Sequence, residues 1–324
     1  MTNFGYTLMT EQSGPRELVA YAQQAERIGF DFEVCSDHFS PWLTAQGHAP
    51  YAWSVLGAVA QATERVGLMT YVTCPTTRYH PVVVAQKAAT LAQLSDDRFT
   101  LGLGAGERLN EHVVGAGWPG VDVRHDMLVE AIGIIRCLLD GETVDHRGEF
   151  FDVDAARLWD LPERPLEIGT AVGGSRAIAT LAPLADHLIA VEPSEDIVGE
   201  WNATDGAPQI GEPARAIGQA PICWAPTEEE ARELAHEEFR WFGGGWRVNA
   251  DIPTPAGFDA ASQFVRPDDV ASSIPCGPDV DALADALRAY TRAGFTDVAL
   301  VQVGDRFQQQ FLEEAAGPLL ERLR

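Results

Sequence analysis

Short apolar runs alternate with amphipathic stretches along almost the whole chain. Runs at 4–10, 32–35, 66–74, 99–104, 166–170, 187–191, 220–224 and 297–303 have strand length and are mostly apolar at consecutive positions, the pattern of strands covered on both faces. Helical spacing fills the intervals at 15–28, 52–65, 81–94, 126–139, 174–184, 227–241, 279–293 and 307–324. In the fourth of these helices, apolar residues at 128, 131, 132, 134, 135, 138 and 139 form one stripe. Pro15 suits a first helical turn and Gly29 a helix end. Eight strand-then-helix units predict an α/β chain folded as a single (β/α)8 TIM barrel over 1–324, rather than two doubly wound domains. Insertions fall near 105–123, 141–165 and 242–278, the second with a small hairpin around 148–152. The insertions are expected on the face where barrels carry function.

With 324 residues, 46% of them apolar, the chain supports a full core. It has no apolar run of about 18 residues and no basic-then-apolar leader, so a cytoplasmic protein without a membrane partner is expected. Its five cysteines (35, 74, 137, 223, 276) are scattered and read as free thiols. Charge is the unusual feature: 48 Asp and Glu face 23 Lys and Arg, a net of -25, and Lys87 is the single lysine. Phosphates would be repelled by such a surface, which argues against nucleic-acid binding. Self-repulsion would be relieved by concentrated salt, so a salt-rich, halophilic cytoplasm such as that of haloarchaea is the expectation.

On the barrel reading, Glu11 ends strand one, Asp37 and His38 end strand two, and Glu107 with Asn110 follows strand four. Three carboxylates and an imidazole then share one mouth, where each tunes its neighbour's proton affinity. Taken one at a time, acids at strand ends also serve as helix caps. Gly102, Gly104 and Gly106 lack the spacing of a dinucleotide fingerprint, although amides exposed there suit a phosphate. Gly173-Gly174-Ser175-Arg176 opens a helix and is either a better anion cradle or a plain turn. His38, His48 and His80 match no metal-ligand spacing, so no metal is expected. Trp42 and Trp118 suit a cavity wall, and Trp53 the core.

These residues carry a resemblance. Ser36-Asp37-His38-Phe39-Ser40-Pro41-Trp42, Gly47-His48-Ala49-Pro50, the run from Thr73 to Pro81 and Gly104-Ala105-Gly106-Glu107-Arg108-Leu109-Asn110-Glu111 resemble the coenzyme F420-dependent glucose-6-phosphate dehydrogenase group of the luciferase-like superfamily. Weaker matches continue through Ala171-Val172-Gly173-Gly174 and Cys276-Gly277-Pro278-Asp279. The resemblance implies a dehydrogenase that moves hydride between a carbinol carbon and F420. It implies His38 as the base at the alcohol, Glu107 as the proton source for the reduced cofactor, and Trp42 and Glu11 as aids to substrate and charge placement. It further implies that Asp37 holds the cofactor ring, with a bulge and cis peptide at Tyr71-Val72 behind it. Gly104, Ala105, Gly106, Asn110, Val172, Gly173 and Gly174 are implied to hold ring and phosphate. A homodimer is also implied.

One departure bears on substrate. The resembled group holds a sugar phosphate with two lysines and an arginine, and here those positions fall near Ser194, Ala260 and Ser273. A dianion without cations is costly to bury. The expected partner is therefore a small-molecule alcohol or a differently held sugar, not glucose 6-phosphate, unless Arg240, Arg247 or Arg266 takes over. The alternatives are an FMN-dependent luciferase-like monooxygenase and a non-enzymatic binding barrel.

Overall fold

Eight parallel strands close into one barrel in sequential order in a computed structural model that describes residues 2–211 and 213–324. They are β1 Asn3–Leu8, β2 Phe32–Cys35, β3 Gly67–Thr70, β4 Phe99–Leu103, β5 Ile168–Ala171, β6 His187–Ala190, β7 Ala216–Ile222 and β8 Asp297–Gln302. Register is set by pairs such as Val34 with Met69 and Leu103 with Thr170. Phe32, Val34, Met69, Tyr71, Ile189, Ile217 and Ala299 fill the barrel interior as one layered cluster. The larger apolar cluster lies outside the strands, where the helices pack.

The principal helices are α1 Pro15–Ile28, α2 Ala52–Ala62, α3 Pro81–Leu94, α4 Val121–Leu139, α5 Ser175–Leu181, α6 Glu195–Ala203, α7 Glu228–Phe239, α8 Val280–Arg292 and α9 Ala316–Leu323. Their starts follow local chemistry. His80 caps α3 by accepting from the Val82 amide, with Pro81 in the first turn. Thr227 caps α7, and Asp279 caps α8 through the Asp281 and Ala282 amides.

Several boundaries differ from expectation. β3 stops at Thr70 rather than 74, and a cis peptide follows at Tyr71-Val72, the place the resemblance implied. β7 starts at Ala216 rather than 220, where pairing with β8 begins at Ile217 and Asp297. α2 ends at Ala62, where the Thr63 hydroxyl bonds back to the Val59 carbonyl and its backbone turns extended. The helix expected over 307–324 is interrupted by a π turn at Phe311–Ala315. Segment 242–278 folds into three short helices, Trp246–Asn249, Pro255–Ala261 and Pro267–Ala271. Segment 141–165 holds the hairpin Val144–Arg147 with Asp152–Ala156, and 148–151 form its turn. Glu130 on α4 holds that turn by accepting from the Glu149, Phe150 and Phe151 amides.

Candidate active site

The C-terminal ends of β1, β2 and β4 deliver a line of three ionisable groups. His38 lies between two carboxylates: its Nδ1 is 2.5 Å from Glu11 Oε1 and its Nε2 is 3.6 Å from Glu107 Oε1. Glu11 is almost fully buried and is fixed at its other oxygen by the Ser36 hydroxyl at 2.6 Å. Burial by itself would lower the imidazole. The Glu11 carboxylate, with a smaller contribution from Glu107, outweighs it and pushes His38 up to about 9. Burial likewise opposes charge on Glu11, and the neighbouring imidazolium prevails and holds that carboxyl below its ordinary value. At neutral pH the His38–Glu11 pair is therefore an imidazolium beside a carboxylate, with Glu107 on the other side of the ring. It can donate a proton to an oxygen in the mouth, and above about pH 9 it can accept one.

Asp37 and His38 are neighbours, but their side chains engage different partners. Asp37 turns away from the mouth. Its carboxylate accepts from Trp53 Nε1 at 3.0 Å, the Thr73 hydroxyl at 2.7 Å, the Tyr79 hydroxyl at 3.1 Å and Arg78 Nη2 at 3.2 Å. These contacts fasten the loops after β2 and β3 to one another. Arg78 bridges Asp37 to Glu111, whose Oε1 is 3.4 Å from Arg78 Nε and whose Oε2 accepts from the Arg78 amide at 2.9 Å. Burial pushes Glu111 up to about 7 although Arg78 opposes it. Asn110 is also engaged by protein. Its carbonyl accepts from the Phe39 and Ser40 amides at 2.7 and 2.9 Å, and its amide donates to Glu107, so it ties the His38 loop to that acid.

Beside this array, backbone and small side chains make a floor. Val72 and Ala171 are half-buried against the barrel interior, and Tyr71 is anchored below by its hydroxyl to the Ala190 carbonyl. A side chain at Gly104 would put its Cβ 2.6 Å from Val72 Cγ2, so only glycine lets the floor close there. Gly173 and Gly174 have open space where a Cβ would stand, and their backbone is reachable; the Val172 amide is already spent on Ile189. A flat ring fits this arrangement: an apolar platform at Val72, bare backbone at 104–106 and 173–174, and ionisable groups at one edge.

The opposite wall is aromatic and joins Trp42 to Trp241 and Phe258 from a distant part of the chain. Trp42 meets the His38 ring edge-on at 5.0 Å, stacks on Trp241 at 4.1 Å and touches Phe258 at 5.2 Å. Arg240 is paired to Asp259 at 2.6 Å and Arg266 to Asp269 at 2.8 Å. Arg247 sits on an exposed short helix. Ser194 caps α6, Ala260 lies within Pro255–Ala261, and Ser273 is exposed. His80 is the α3 cap, and among the described residues no three His, Cys, Asp or Glu side chains gather for a metal. A cavity of about 270 Å³ lined by Arg98, Arg164 and Arg215 opens at the other rim, among the N-terminal strand ends, away from these groups. Arg78, Glu111, Trp241 and Phe258 were missed. The signal for the first two was present, since both lie inside matched stretches.

Residues 1–297 match the luciferase-like monooxygenase family. An F420-dependent glucose-6-phosphate dehydrogenase of Beutenbergia cavernae is 33% identical over 336 residues, covering 100% of this chain and 98% of that protein. One from Amycolatopsis mediterranei is 44% identical over 175 residues, but this match spans 54% of this chain and 53% of that relative. The solved structure of an F420-dependent secondary alcohol dehydrogenase in complex with an F420-acetone adduct superposes with a TM-score of 0.91 at 26% identity, covering 100% of this chain and 99% of that one. Both sequence relatives are actinobacterial, and the haloarchaeal origin expected from the acidic composition finds no support in them.

Proposed function

We propose that this chain, which belongs to the luciferase-like monooxygenase family, is an F420-dependent dehydrogenase acting on the CH–OH group of an unphosphorylated alcohol. The single observation that carries the reading is His38 held between Glu11 and Glu107 at the C-terminal barrel mouth. The deazaflavin, when bound, accepts or returns the hydride. All proton traffic belongs to the chain. With an alcohol, neutral His38 takes the hydroxyl proton while Glu11 holds the imidazole and stabilises the cation that forms. In reverse, the imidazolium protonates the carbonyl oxygen. Glu107, on the other side of His38, serves as the proton source for the reduced cofactor. Val72, Gly104, Ala105 and Gly106 seat the ring from below, and Gly173 and Gly174 offer backbone to its phosphate. Asp37, Asn110 and Tyr71 act on the ring through the loops they fix.

The aromatic wall of Trp42, Trp241 and Phe258 favours an apolar substituent on the carbinol carbon. Two of the three arginines that could replace the absent lysines are committed to acids, so a phosphate dianion has no evident partner. A family likeness to FMN-dependent monooxygenases supplies the second reading, which the acid–base array disfavours. Titration with F420 and with FMN, followed by fluorescence, separates them: tight F420 binding with weak FMN binding is expected, and the reverse would replace the reading. Pairing of two chains rests on the resemblance alone, and analytical ultracentrifugation tests it. No described helix is long and apolar enough to cross a membrane.

A further inference from the structure

Two thiols meet where β7 ends. Cys223 follows the last residue of β7, and Cys276 lies near the end of segment 242–278. The two residues pair as an isolated parallel bridge: the Cys223 amide donates to the Pro275 carbonyl at 2.8 Å, and the Gly277 amide to the Cys223 carbonyl at 3.0 Å. Residues bridged in this way on adjacent strands lie about 5 Å apart, inside the Cα separation a disulfide tolerates. Both are free thiols. Cys223 is buried, with its sulfur 3.7 Å from the Val303 carbonyl, whereas Cys276 is half-buried and reachable.

Cys276 differs from the other four cysteines; its neighbour Cys223 is pushed up, by the contact with Cys276 first and by burial next. Burial pushes the Cys35, Cys74 and Cys137 thiols up. For Cys276 the adjoining Cys223 thiol pulls the value down, burial opposes it, and Arg232 lowers it further. A reachable thiol with thiolate character beside a second, sheltered thiol is the arrangement that oxidants select.

We propose that Cys223 and Cys276 form an oxidation site at which hydrogen peroxide converts two thiols into a disulfide that fastens segment 242–278 to the end of β7. The Cys276 thiolate attacks one peroxide oxygen and breaks the O–O bond. This gives a sulfenic acid and, after proton uptake, one water. The Cys223 sulfur then displaces hydroxide from that sulfur to form the S–S bond, and its released proton completes the second water. Two electrons leave the thiols and reduce one peroxide. The fastened segment carries Phe258, which packs on Trp42 and Trp241, so the bond acts on the wall of the mouth without adding a group to it.

The test uses the full chain and needs no substrate. Stepwise hydrogen peroxide is added, free thiols are counted, and peptides are mapped by mass spectrometry without reduction. Expected are a fall from five thiols to three and a linked Cys223–Cys276 peptide that dithiothreitol releases. The linked form should melt about 5 °C or more above the reduced one. Cys276→Ser should keep all its remaining thiols under the same treatment. If that variant does not fold, the wild-type map decides alone. Five thiols persisting, Cys276 recovered as sulfinic acid without a linked peptide, or a linked form with unchanged melting would each overturn the proposal.

Discussion

Glu11→Gln removes one charge and almost no volume, and it should move the pH at which this enzyme works. In the native chain the Glu11 carboxylate lies 2.5 Å from His38 Nδ1, and Glu107 stands farther off at 3.6 Å. His38 is pushed up to about 9 against a burial effect that acts the other way. Relative to an ordinary imidazole this is about 3 kcal/mol in favour of the cation, most of it from Glu11. Without that charge, burial competes with Glu107 alone, and the midpoint should fall by about two pH units. Alcohol oxidation needs neutral His38, so kcat/KM should rise with pH toward about 9 in the wild type and level off earlier in the variant. Carbonyl reduction needs the imidazolium and should fall over the same intervals. Stability follows the same sign. The raised His38 value contributes fully below about 6.5 and is lost as pH rises through about 9. The variant should therefore lose up to about 3 kcal/mol near pH 6 and little near pH 10. Initial rates of F420 absorbance change across a pH series, with urea unfolding alongside, read both effects. A variant midpoint that stays near 9 or rises would refute the assignment of Glu11 as the dominant partner.

Other perturbations have equally definite outcomes. Arg78→Ala leaves Asp37 and Glu111 buried without their shared cation and should cost about 3–5 kcal/mol in urea unfolding. Lysine there should restore only part, having one point charge for two acids. Gly104→Ala brings a Cβ to 2.6 Å from Val72 Cγ2, and should weaken F420 binding roughly tenfold while the melting temperature falls only slightly. Glu33 is a fully buried carboxyl with no hydrogen-bond partner among the described residues, pushed up to about 8 by burial and by Glu26. The wild type therefore loses stability as pH climbs from about 4.5 to 8, and Glu33→Gln should be the more stable form at pH 8.5 but not at pH 4.5. With a net charge of -25, the melting temperature should rise between dilute and molar salt, and a flat response would remove self-repulsion as a factor.

Much of this site was legible because its chemistry sits at the ends of short apolar runs. Ser36-Asp37-His38 follows Phe32–Cys35 directly, and strand ends are where a barrel gathers its groups. Arg78 lies in a matched stretch, but its bridge between two acids depends on the ends of β2 and β4 meeting in space. Trp241 was out of reach for the same reason: it stacks on Trp42 from a segment about two hundred residues away. β7 was read too short because Gly218 and Gln219 interrupt its apolar run. α6 was passed over because Val198 and Trp201 are its only buried residues. The thiols at 223 and 276 looked scattered until β7 and the loop before α8 were seen to pair.

The account stands most directly on one mixing experiment: wild type and His38→Ala, each loaded with F420 and given a secondary alcohol with an apolar substituent, while deazaflavin absorbance is followed at pH 9. The wild type should bleach the cofactor, and the variant should bind it with nearly unchanged affinity and leave it oxidised. Equal bleaching by both proteins, or bleaching of the wild type by glucose 6-phosphate alone, would contradict the role given to His38 or the substrate class given to its pocket.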